Sequence, residues 1–530
     1  MILLLACVTP DAPPDEAELV PLAAPRLLRR ISLELRGVLP TADELDAVEA
    51  DPHAVDELVD SYLADSRFEE RVAVLLGERW HTRVDAFDIR HYEYDLPDDQ
   101  EYAFEAAVGA EPLRLAAHVV ATDAPWTDVV TADYTMANDL LGAIWPLDYP
   151  EGATGWQEAH YTDGRPAVGV LATNGLWWRY ATSTFNQSRS RVAALSRIFT
   201  CYDILERPIT FSATPSLLDA DGTLSAIQTE DACVSCHSAI EPAASAMFGF
   251  LPVNQYSAQE MDTYHPEREP LGPTELGVEP AWYGTPISGL AELGPAIAAD
   301  PRFGACAAQT FAEALWRREV VPEDDARLLE LRAVYEADGR IQPLIRAILA
   351  GDTFRAGGFS ASAGEGTRER ERVSRMLSPD QLSRALEDLT AFNWEDDGYA
   401  QMDNDEEGYR VLAGGVNGTN VLRPQDAPGL TWAATVRRLS EGAAAAAVAR
   451  DLSGAGDALL TVDSAAVPGD AAFDAQLDAL SWRLYAERAT AEDRADWETL
   501  WTAVADAEGA EAAWTALLAG MFQDPAFVVE

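Results

Sequence analysis

The chain has 530 residues, a formal net charge of -51 and no lysine, so all 38 basic side chains are arginine. A surface this acidic repels nucleic acid and anionic headgroups, and the missing lysine removes P-loop phosphate binding, pyridoxal Schiff bases and lysine general bases. With 48% hydrophobic residues the chain is globular and long enough for several domains.

In chain order, Leu4-Leu5-Ala6-Cys7 reads like a bacterial lipobox, which makes Cys7 a candidate lipidation site. Met1 to Ala6 is too short for a complete signal peptide, so either the start lies upstream or the likeness is accidental. The acidic, proline-rich remainder of residues 1–25 reads as a tether. A helical domain is expected over 26–110: Arg26 to Leu35 carries apolar residues at helical spacing, Gly37 to Pro40 breaks it, and Thr41-Ala42-Asp43-Glu44 is a capping box. A middle helical domain is expected over 111–231 and a haem-motif domain over 232–357. A linker is expected over 358–375, where a Gly/Ser/Ala run meets alternating Arg and Glu, and a C-terminal helical domain over 376–530.

The helical pattern of the first domain returns twice. Leu315-Trp316-Arg317-Arg318 precedes a break at Pro322 and an acidic helix start, and Leu480-Ser481-Trp482-Arg483 precedes Thr490-Ala491-Glu492-Asp493. Each copy closes on a similar run: Leu63-Ala64-Asp65-Ser66-Arg67-Phe68, Leu349-Ala350-Gly351-Asp352-Thr353-Phe354 and Asp524-Pro525-Ala526-Phe527. The expected fold is therefore mainly α, a multidomain array of helical hairpin modules with long irregular loops around the central motif.

That motif is Cys233-Val234-Ser235-Cys236-His237. Two thiols three positions apart followed by an imidazole are the attachment signature of one covalent haem c, with Cys233 and Cys236 as thioether tethers and His237 as proximal iron ligand. A redox Cys-x-x-Cys, half of a zinc site and a chance match are the alternatives; no second Cys-x-x-Cys or His-x3-His accompanies it. Cys201 and Cys306 remain, and in an oxidising compartment they are expected to pair as a disulfide. The acidic run Asp403 to Gly408 starts like a calcium loop, but Gly414 stands at position twelve, so it reads as a solvated turn.

Several stretches together resemble a known family. Arg29-Arg30-Ile31-Ser32-Leu33-Glu34-Leu35-Arg36-Gly37-Val38-Leu39-Pro40-Thr41, Val130-Thr131-Ala132-Asp133-Tyr134-Thr135, Gly169-Val170-Leu171-Ala172-Thr173, Arg189 to Arg191, Ile240-Glu241-Pro242 after the haem motif, Phe303-Gly304-Ala305-Cys306 and Leu315 to Arg318 are similar to segments of large exported proteins of unknown function with planctomycete-type cytochrome c domains. The resemblance implies export, a mainly helical body and a c-type haem in an electron-transfer setting. Where that family usually continues Gly-Phe-Ala-Leu-Glu, this chain has Ala244-Ser245-Ala246-Met247-Phe248. Met247 is thus a candidate sixth iron ligand by position alone, with Met261 and His265 behind it, and an open or water-bound site is the alternative.

The expected function is electron transfer to or from an extracytoplasmic redox partner protein. The protein would be lipid-anchored in the periplasm or at the outer membrane or cell surface, and a carrier rather than a complete enzyme. One alternative is a haem-free surface lipoprotein whose modules bind a macromolecule, with Cys233 and Cys236 disulfide-bonded. Another is a haem enzyme with an open sixth position.

Overall fold

A computed structural model of the chain describes residues 18–82, 89–206, 208, 220–253, 258–396, 398–404, 406–454, 459–462 and 465–530. Cys7 and most of the tether lie outside the described residues, as does Asp405 of the acidic run. The body is mainly α, as expected. Its described strands form two-stranded antiparallel ladders.

The first helix, Ala24–Arg36, has proline in its opening turn, where a missing N–H costs nothing, and ends at Gly37 with φ 73. Every residue from Leu27 to Arg36 is buried. Leu27, Leu28, Ile31 and Leu35 face one core, shared with Phe68, Trp126, Leu171, Met247, Phe303 and Ile345. Leu33 faces a second, built from Leu382, Val436, Phe473, Trp501, Trp514 and Leu517. The expected divisions near 110 and 231 therefore run through one continuous apolar core, and the C-terminal region has its own.

A helix enclosed on all sides must satisfy its charges internally, because a buried unpaired guanidinium is prohibitively costly. Arg29 donates through Nε to the Leu484 carbonyl (3.2 Å) and through Nη2 to that of Phe527. Arg30, pointing the other way, donates through Nη1 to the carbonyls of Phe354 (2.7 Å) and Ala356 (2.8 Å) and through Nη2 to that of Val373 (3.0 Å). Neighbouring arginines on this helix thus tie it to the closing segments of the second and third modules.

The three modules share one construction. In each, a long helix stops on a residue in the left-handed region, Gly37, Arg317 (φ 57) or Ala486 (φ 55), and four positions on stands the N-cap of the next helical element. There the N-cap N–H is taken by an acidic side chain three residues later: Thr41 by Glu44 at 2.7 Å, Val321 by Asp324 at 3.0 Å, Thr490 by Asp493 at 2.8 Å. The closing runs are themselves helix starts. Asp65 and Asp524 cap helices by accepting from Arg67 N (2.9 Å) and Ala526 N (2.8 Å), and Gly351 holds the corresponding N-cap place in the second module. Phe68, Phe354 and Phe527, each three residues after that cap, are buried.

The stretch expected as a linker, 358–375, is built into the body. Ala356–Phe359 pairs with Leu19–Pro21, and Glu371 and Arg375 are each only 4% exposed. Glu371 receives Arg318 (3.3 Å) and Arg327 (2.7 Å), and Arg375 Nη1 donates to the Leu315 carbonyl at 2.7 Å. Gly and Ser content marks flexibility only where no buried partner claims the flanking charges.

Replacing Arg30 by Met leaves carbonyl acceptors from two segments without their shared donor. Arg30→Met should lower unfolding free energy, read from urea midpoints, by at least about 3 kcal/mol. Arg346→Met removes an exposed pair with Asp60 and should cost under about 1 kcal/mol.

Candidate functional site

The Cys-x-x-Cys-His run lies on a helix, Asp231–Ser245. At about 3.6 residues per turn, spacings of three and four put Cys233, Cys236 and His237 on one face. Neither thiol is in a disulfide and both are half-buried, Cys236 resting against the margin of the main core. His237 keeps 23% of its side chain exposed, so the ring is accessible.

One turn further along, Glu241 Oε1 lies 2.6 Å from His237 Nδ1. An ionised carboxylate can only accept, so Nδ1 carries a proton, and Nε2 is the nitrogen whose lone pair can serve a ligand. Glu241 also accepts from Arg189, Nε to Oε1 at 2.7 Å and Nη2 to Oε2 at 2.8 Å. Burial opposes the negative charge, but the hydrogen bonds from His237 and Arg189 outweigh it and hold the Glu241 carboxyl below the ordinary carboxylate value. Arg189 is fixed in turn: Nη1 donates to Phe185 O, Asn186 O and Gln187 Oε1, each at 3.1 Å.

Arg189 opens the Arg189–Thr200 helix, which follows a tight turn with Gln187 (φ 50) and Ser188 (φ 68) in the left-handed region. At its far end Cys201 is bonded to Cys306 of the Pro301–Trp316 helix, with Cα atoms 5.2 Å apart. One helix therefore carries the arginine that holds Glu241 at its start and a covalent tie to the Pro301–Trp316 helix at its end.

The structure does not bring Met247 to His237. The helix runs on from His237 to Ser245, about 12 Å at roughly 1.5 Å per residue, and Met247 lies beyond it, fully buried beside Phe248 in the main core. Met261 packs on a separate cluster containing Trp178, and the His265 ring sits between Glu260 (3.6 Å) and Glu267 (3.2 Å). Among the described residues no three His, Cys, Asp or Glu side chains converge as a cage for one ion. A tethered haem asks for something else: thiols at the porphyrin edge, with the imidazole alone at the iron.

A second polar cluster carries no sequence signature. Glu111, fully buried, accepts from Tyr161 OH (2.6 Å) and Thr135 Oγ1 (3.0 Å) at Oε1 and from Gly175 N (2.8 Å) at Oε2. Arg165 lies over the Tyr161 ring at 3.4 Å, pairs with Asp163 at 2.6 Å and donates to the Asp262 carbonyl at 2.9 Å. The Asp262 carboxylate accepts from Trp178 Nε1 and Tyr94 OH. Burial raises Glu111 to about 7 and Asp262 to about 6, against which their hydrogen bonds act. This cluster joins residues spread along the chain from Tyr94 to Asp262.

Because the folded-state value of Glu111 lies above the unfolded value of about 4.3, the folded state binds the extra proton between them. The stability this group contributes is whole below about pH 4.3 and is lost as pH rises through about 7. Urea midpoints from pH 4.5 to 8 should fall less steeply for Glu111→Gln than for the unaltered protein.

Comparison with known proteins reaches only part of the chain. The model of a family described as PSCyt2, protein of unknown function (DUF1549), matches residues 16–106. That segment covers the first helical module and stops well before Cys233, so no cytochrome c domain lies within the match. No curated protein and no solved structure matches the chain. Over residues 16–106 the chain is similar to a family found in planctomycete-type proteins of unknown function.

Proposed function

We propose that this protein carries one covalent c-type haem and passes electrons to or from an extracytoplasmic partner protein. The observation that carries the reading is the polarity of His237: Glu241 occupies Nδ1 and so leaves Nε2 as the free donor. Cys233 and Cys236 would hold the porphyrin edge and His237 Nε2 the iron. The group supplies a one-electron couple when bound. The residues present suit it, with two thiols outside any disulfide on the same helix face as a partly exposed imidazole.

Export is part of the proposal and is supported by the Cys201–Cys306 disulfide, since such bonds persist in oxidising compartments. No described helix is long and apolar enough to cross a membrane; acylation of Cys7 would supply the anchor. A second reading, a haem enzyme with an open sixth position, is favoured by the burial of Met247 in the core, away from His237. Cyanide or carbon monoxide binding separates it from a six-coordinate carrier.

Protein matured with a working cytochrome c assembly system should gain the mass of one haem and give a pyridine haemochrome spectrum that survives denaturation. Cys233→Ala/Cys236→Ala should abolish the covalent adduct, and His237→Ala should keep the adduct but alter its ligation. A colourless wild-type product of unmodified mass would sink the reading and leave the haem-free binding module in first place.

A further inference from the structure

We propose that Glu241, clamped by Arg189, is the positioning residue for the proximal imidazole, and that its hydrogen bond sets the haem at a lower reduction potential than a neutral acceptor in its place would. The inference rests on the haem reading above and deepens it, because it assigns a role that neither the Cys-x-x-Cys-His motif nor the family match contains.

A histidine ring on a helix turns freely about two bonds unless something holds its far edge. Here Glu241 holds it at 2.6 Å. The carboxylate cannot swing away, because Arg189 grips both of its oxygens at 2.7 and 2.8 Å and is itself held by the 185–187 turn. Glu241 is only 7% exposed, so water competes weakly for these bonds. An i,i+4 pair on an exposed helix face is ordinarily worth a few tenths of a kcal/mol, whereas here an arginine from another helix joins the pair and the shared carboxylate is buried.

The chemical consequence follows from the direction of the bond. A carboxylate accepting from Nδ1 draws that proton away from the ring and makes Nε2 a stronger donor to a metal. A stronger axial donor stabilises the ferric over the ferrous state and lowers the potential. Arg189 offsets most of the long-range field of Glu241, so the effect acts through the ring rather than through net charge. That separates it from the diffuse influence of the acidic surface, which any nearby carboxylate would share.

The test uses full-length, haem-loaded protein. Glu241→Gln keeps the shape and removes the anionic acceptor, whereas Asp231→Asn removes a charge from the start of the same helix, ahead of the motif. Glu241→Gln should move the ferric/ferrous equilibrium towards ferrous by about tenfold or more, which is about 59 mV for one electron, and should shift the hyperfine-displaced ring-proton resonances of His237. Asp231→Asn should do much less to the potential and leave those resonances in place. Should Glu241→Gln fail to fold, Arg189→Gln tests the same chain, since a released carboxylate must broaden or split the His237 resonances. Haem attached normally, with Glu241→Gln no different from Asp231→Asn or with Arg189→Gln unchanged from wild type, would overturn the role of Glu241 alone. Wild-type protein without haem would overturn it together with the haem reading.

Discussion

The buried guanidinium is the interaction on which this structure depends. Among the described residues five α-helices end on a non-glycine residue in the left-handed region: His81, Cys201, Arg317, Ala391 and Ala486. That conformation is unfavourable for a side chain bearing Cβ, and a helix end also leaves carbonyls without partners. At four of these ends, all but the one at Cys201, an arginine from elsewhere in the sequence supplies donors: Arg197 to Arg79 O and Trp80 O, Arg375 to Leu315 O, Arg450 to Leu389 O, and Arg26 with Arg29 to Tyr485 O and Leu484 O. A planar fork with five N–H groups can take two or three carbonyls at once, which a lysine ammonium on a flexible stem does less well. In a chain without lysine the same side chain serves as cap, cross-link and counter-ion.

Serines add a second device of the same kind. Ser32, Ser196 and Ser481 each donate to the carbonyl six residues on, at Val38 (2.6 Å), Tyr202 (2.7 Å) and Glu487 (2.9 Å), spanning the left-handed stops at Gly37, Cys201 and Ala486. The helix that positions Arg189 therefore ends like the first helices of two modules, although its sequence surroundings differ. Local rules of helix termination recur where the larger module does not.

Much of this was legible in the sequence, and the part that was not has a common cause. Thr41 with Glu44 announced a capping box, because the partners lie three residues apart, and Thr490 to Asp493 was recognisable as its recurrence. The closing runs at Phe68, Phe354 and Phe527 were recognisable as repeats, but they read as ends when they are starts: an Asp or Gly before a short helix looks the same from either side. The 358–375 stretch read as a linker because nothing local reveals that Arg375 reaches Leu315 O or that Glu371 receives Arg318 and Arg327. At the candidate site, the pairing of His237 with Glu241 was available from the spacing of four residues, whereas the Arg189 contact bridges far-separated sequence and carries no pattern. The Glu111–Tyr161–Arg165 cluster was likewise invisible, since each member is an ordinary residue until folding removes water from around it.

The burial of Met247 follows from one local choice that sequence rules would have decided otherwise. Proline inside a helix removes a backbone donor and usually ends or kinks it, so Pro242 suggests that the motif helix stops soon after His237. It continues to Ser245, and the main core accounts for why: Ile240, Ala243, Ala244 and Met247 all lie in it, so breaking the helix at Pro242 would expose that apolar side. Glu241, just before the proline, stays in register one turn from His237, where Arg189 can reach it. Apolar burial on one side of this helix thus keeps a charged chain aligned on the other. The same continuation that carries Met247 away from the imidazole brings a carboxylate to it.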